Sequence, residues 1–228
     1  MQETTLFNLR VLWKLFGGIM FLMAANIVDH IAGKPLWGIT RFIDLSSDTN
    51  VSAWYSSILL TVAGFISYEC SVYAKRKNVP ESFLFLLFAG LLFFMSCDEV
   101  ATIHEIVGKY LAEYFAISSK NFAKHAPWVW VGGPVIITVF VVFLFLFKKL
   151  FSLVPRSMVF LSSGFALIIL GGIVLESTIN FLNHEELQWL WDLEIILEES
   201  LEMIGTILIS YSLIVWRDGI VRLNQMNS

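Results

Sequence analysis

The chain has 228 residues, of which 57% are apolar and only 15% charged, and its formal net charge is −4. Soluble domains carry about a quarter charged residues, so this composition excludes an ordinary soluble domain, and the lack of a basic patch excludes a nucleic-acid binder. Two cysteines, Cys70 and Cys97, fall in separate apolar stretches and cannot build a disulfide framework.

A helix crosses the bilayer core in roughly 20 residues, and six apolar stretches reach that length. They lie near 9–32, 52–74, 82–110, 127–147, 157–180 and 188–216. The expected fold is all-α: a polytopic transmembrane helix bundle of six spans, forming one domain over residues 1–228. No small-residue cleavage site follows the first span, which reads as a retained signal anchor. The loop after it, GKPLWGITRFIDLSSDTNVSAWYSS, offers Asp48 or Asn50 as a cap for the second span. Its Trp37, Phe42 and Trp54 make it a candidate lid. The third span ends in CDEVATIHE (97–105), and the sixth contains LEESLEMIG (197–205). Glycine pairs at Gly17-Gly18, Gly132-Gly133 and Gly171-Gly172, in spans one, four and five, predict close helix packing.

Charge sets the expected orientation. Arg10, Lys14, the triplet 75–77, Lys148, Lys149, Arg156, Arg217 and Arg222 all fall at one face, so ten of fifteen basic residues are there. By the positive-inside rule that face is cytoplasmic, and both termini lie on it. Fifteen of nineteen acidic residues and all four histidines fall toward the other face. Headgroup exposure accounts for part of this, and CDEVATIHE by itself also fits an ordinary helix exit.

Depth is what singles out certain carboxylates. At about 1.5 Å per residue, Asp98, Glu176, Glu198, Glu202 and His30 sit roughly 22–30 Å from the basic boundary of their spans. Four helices thus bring acidic or imidazole groups to nearly one level. In a continuous helix Asp98 and Glu105 differ by about 20° in phase, and Glu194, Glu198 and Glu202 span about 80°. A carboxylate at that depth costs several kcal/mol unless it is paired, protonated or wetted.

Clustered carboxylates repel one another, so some must hold a proton or share a cation. An oxygen-rich set with one or two imidazoles suits Fe, Mn, Zn or Ca, and helix bundles build dimetal sites from such groups. The expected ligands are Asp98, His104, Glu105, Glu198 and Glu202. Glu99 and Glu199 are the candidate proton-handling catalytic pair, with His30, Glu176 and Glu194 as supporting groups around them. His125 and His184 read as wet loop residues. Neither the Glu-x-x-His pair of the ferritin-like bundles nor His-Glu-x-x-His is present, so clustering alone carries the metal reading.

Taken together, NVSAWYSS (50–57), CDEVATIHE and LEESLEMIG resemble an uncharacterised family of prokaryotic multipass membrane proteins. That family carries similar Asp-Glu…His-Glu and Glu-Glu…Glu-Met-x-Gly phrases. The resemblance implies a shared polar site at Asp98, Glu99, His104, Glu105, Glu198, Glu199 and Glu202; with the charge pattern, the expected location is the prokaryotic cytoplasmic (inner) membrane with the acidic site facing outward. It implies no activity. The leading expectation is a divalent or dimetal site, in an enzyme acting on a lipid or other hydrophobic substrate. The alternatives are a cation or proton channel or transporter using the same carboxylates, and a noncatalytic subunit or sensor. Expected partners are the lipid bilayer and a hydrophobic substrate or a second membrane protein.

Overall fold

The computed structural model describes residues 7–33, 42, 50–117, 126–178 and 188–226. Seven helices run through them: α1 (Leu9–Ile31), α2 (Val51–Arg76), α3 (Phe83–Ala101), α4 (Ile103–Tyr114), α5 (Pro127–Phe151), α6 (Pro155–Thr178) and α7 (Gln188–Met226). All but α4 are long and apolar enough to cross a membrane. Among the described residues there is no strand, as the backbone of a bilayer-spanning chain must satisfy its own hydrogen bonds.

Local sequence sets the helix starts. Asn8 Oδ1 accepts from the Arg10 and Val11 amides, and Asn50 Oδ1 accepts from Ser52 and Ala53. Asn50 is thus the cap of α2, and Trp54 of the expected lid lies in that helix, whereas Asp48 and Trp37 fall outside the described residues. Proline opens both α5 and α6, where its missing N–H costs nothing.

One expected span is wrong in its length. Residues 82–110 do not form one helix: Thr102 adopts a left-handed conformation (φ 48°, ψ 37°) that ends α3 and starts α4. The wheel relation between Asp98 and Glu105 therefore does not hold. The sixth helix also outruns its expected end at 216, continuing to Met226.

α7 is the spine of the bundle, lying against α1, α2 and α6. Its closest crossing is with α6, where a Cβ added to Gly164 would meet the Gly205 carbonyl oxygen at 2.7 Å, and one added to Gly205 would meet that of Gly164 at the same distance. Small residues are what bring membrane helices this close. α2 and α3 are joined by Ser57, Thr61 and Ser96, whose hydroxyls bond one another at 2.8–2.9 Å. At the basic end Phe85, Phe147, Phe151 and Trp216 form an aromatic core, with Phe85 and Trp216 centroids 4.4 Å apart. Arg217, 3% exposed, closes that end by donating to Glu69 at 2.9 Å and to the Phe7 carbonyl at 3.0 Å.

The glycine pairs differ. Gly18, Gly133, Gly171 and Gly172 all face a close neighbour, whereas Gly17 faces open space. Overpacking typically costs about 1–3 kcal/mol. Gly164→Val should therefore lower the thermal midpoint of the purified protein by several degrees, while Gly17→Val leaves it unchanged in the same melting assay.

Candidate functional site

Above the aromatic core, at the acidic end, the helices enclose a cavity of about 400 Å³, within the usual range of small-molecule sites. Its acidic lining is built from three regions: Asp98, Glu99 and Glu105 around the α3–α4 break, Glu176 on α6, and Glu198, Glu199 and Glu202 on α7. With His104 these are seven carboxylates and one imidazole, and among the described residues no Lys or Arg lines the cavity.

The α3–α4 corner is organised by Asp98. Its carboxylate accepts the His104 backbone amide at 2.8 Å and meets His104 Nδ1 at 2.7 Å. Thr102 supplies no side-chain cap, so Asp98, from the preceding helix, does the capping of α4. A left-handed β-branched residue is strained, and such strain gathers at functional sites. Glu105 is turned to Lys109 at 2.9 Å. Gly108 lets α4 lie directly on Trp128, because a Cβ there would collide with that residue.

Trp128 is a group that sequence reasoning did not single out. Its indole N–H donates to Glu176 Oε1 at 2.5 Å, and its ring meets His104 edge-on, with centroids 4.4 Å apart. It thus ties α5 to the His104 imidazole of α4 and the Glu176 carboxylate of α6. No feature of the sequence separates it from the other tryptophans at that level.

Glu176 reaches the cavity because α6 widens into a π-helical stretch over Leu170–Leu175 just before it. Such stretches recur at functional sites and are rare elsewhere. Gly171 and Gly172 fall in this stretch, and a Cβ on them would meet the Glu198 carbonyl and the Glu202 carboxylate respectively. The two glycines therefore make room for the α7 carboxylates.

The expected residues divide accordingly. Asp98, Glu99, His104, Glu105, Glu176, Glu198, Glu199 and Glu202 share the cavity. His30 does not: it pairs with Asp192 of α7 at 2.6 Å. Glu194 lies one turn from Glu198, 6% exposed, with neither carboxylate oxygen hydrogen-bonded among the described residues. His125 and His184 fall outside the described residues. Among those described, no three His, Cys, Asp or Glu side chains stand close enough to hold a metal ion as they are.

Burial alone would lower the pKa of His104, but the hydrogen bond and charge of Asp98, with Glu105 and Glu176 adding to it, outweigh burial and leave it raised. The protonated imidazole is the form that Asp98 favours.

These features define a polytopic α-helical membrane protein with an acidic cavity at one end of its bundle. The chain belongs to a family described as a domain of unknown function, DUF8692, whose model matches residues 15–216. No curated protein and no solved structure matches it.

Two outcomes are expected at the corner. Asp98→Asn removes the largest influences that raise the His104 pKa and should lower its titration midpoint, read by NMR. The sign for stability follows. A raised folded pKa gives a contribution that is complete below pH 6.5 and lost as the pH climbs through the folded value, so the deficit of Asp98→Asn should be largest in acid. Separately, Thr102→Gly relieves the left-handed strain and should stabilise the protein by about 1 kcal/mol in a denaturation assay.

Proposed function

We propose that this cavity opens to the external face of the membrane and holds a divalent cation, Fe, Mn, Zn or Ca, in an enzyme acting on a hydrophobic substrate. The observation that carries the reading is the lining itself: seven carboxylates and a histidine, with no Lys or Arg among the described residues. Oxygen donors with one imidazole suit this group of ions.

Three of the expected ligands are already engaged, Asp98 and His104 with each other and Glu105 with Lys109. The weight of the donor set therefore moves to Glu176, Glu198 and Glu202, with His104 at its edge. Gathering them on an ion requires the side chains to swing inward, for which the cavity has room. A bound divalent ion would supply Lewis acidity or an activated water. Glu99 and Glu199, beside these groups, are placed to take or return a proton, and Asp98 holds the imidazole of His104 in one orientation.

Transport through the same carboxylates is supported less well. Toward the basic end the cavity stops at Phe140, which stacks on Phe165 with centroids 4.2 Å apart, and no polar groove continues past them among the lining residues.

The test is elemental analysis of protein purified without added chelator. The expected result is about one or two equivalents of transition metal or calcium per chain, with affinity falling at least about tenfold in Glu198→Gln and in Glu202→Gln. Metal-free wild type that also fails to take up added ion would remove the reading.

A further inference from the structure

We infer that the molecule this cavity receives is a long-chain amphiphile with a cationic amine head, entering sideways from the bilayer through a gap between α3 and α5. The inference rests on the acidic cavity being a binding site, as proposed above, but not on the metal.

The gap follows from where α3 and α5 touch. In their basic halves the two helices are joined by aromatic pairs, Phe85 with Phe147 at 5.2 Å and Phe88 with Phe143 at 5.1 Å. Toward the acidic end that contact is replaced by the cavity, walled by Leu91, Phe94 and Met95 on α3 and by Val135 and Val139 on α5. Phe94 is 56% exposed and Val135 61%. Both sit in membrane-spanning helices, so their exposed faces meet lipid tails, and the side of the cavity is continuous with the hydrocarbon.

One cavity therefore has two chemically opposite ends. Beyond the apolar walls come the seven carboxylates. Carboxylates gathered this closely away from bulk water are left with more acceptors than donors, and a cation supplies the missing partner. An ammonium carries three donors and a positive charge to set against them. A phosphate head is disfavoured, since among the described residues no guanidinium or ammonium lines the cavity to receive it and the carboxylates repel it. An alkyl chain leaving the head has Met95, Phe94, Val135 and Val139 to lie along on its way to the bilayer. Its burial contributes about 0.8 kcal/mol per methylene group, which makes binding depend on chain length.

The experiment is photolabelling of the full chain in phosphatidylcholine nanodiscs with a diazirine-bearing long-chain alkylamine. Labelling is expected to be saturable and to map to peptides around residues 91–95 and 135–139. Dodecylamine should compete at least about tenfold better than dodecyl phosphate or butylamine, a difference of about 1.4 kcal/mol or more. Val135→Trp, which fills the gap, should cut labelling severalfold, while Val142→Trp, on a lipid-exposed position of the same helix outside the cavity, leaves it unchanged. Diffuse labelling around the bundle, equal competition by dodecyl phosphate, or indifference to Val135→Trp would each overturn the inference. Metal content measured on the same samples separates the two readings. Bound metal with no site-specific labelling sinks the amphiphile alone, and specific labelling of metal-free protein sustains it while removing the metal.

Discussion

The acidic end of the bundle is shaped by one cost, that of holding Glu198 and Glu202 within the length of a membrane-spanning helix. A carboxylate there is several kcal/mol worse off than in water unless something compensates it. The compensation is visible in what surrounds α7. The α6 backbone widens into its π-helical stretch and carries two glycines at the point of contact, so the carboxylates have space instead of a wall. Glu176 arrives on the same side, held by the Trp128 indole. The α3–α4 corner completes the ring, and its shape depends on Asp98 capping α4.

The basic end explains why this arrangement can persist. Gly164 and Gly205 lock α6 to α7, Gly205 within one turn of Glu202, and the cluster of Phe85, Phe147, Phe151 and Trp216 fills the space beyond. Arg217 then draws α1, α2 and α7 together through Glu69 and the Phe7 carbonyl. A closely packed apolar half carries an acidic half that encloses the cavity. α3 and α5 belong to both, joined by aromatic rings in the first and parted by the cavity in the second.

The six spans could be read from the sequence because hydrocarbon thickness imposes a length on each of them. The level of the carboxylates was readable for the same reason, since rise per residue fixes depth along a helix. Glu198 and Glu202 were found by that count, and Glu176 was correctly placed at their level. Direction around the helix was less accessible. Nothing in CDEVATIHE announces that Thr102 turns left-handed, because the cause lies in Asp98 bonding forward to His104, a choice among several that its side chain has. That break moved Glu105 to Lys109 and undid the phase relation with Asp98. His30 was placed at the right depth but on the wrong partner, for Asp192 reaches it from α7 across the α1 interface. Trp128 was hidden by its own commonness, since tryptophan gathers at membrane interfaces whether or not it holds a carboxylate.

The central claim is that Glu176, Glu198 and Glu202, brought from two helices, act as one cation site. Anomalous diffraction from crystals equilibrated with Mn²⁺ tests it most directly. The expected result is a peak inside the cavity within coordination distance of carboxylates from both α6 and α7, absent in Glu198→Gln/Glu202→Gln. A cavity with no peak at saturating Mn²⁺, or a peak held only by residues outside it, would contradict the claim.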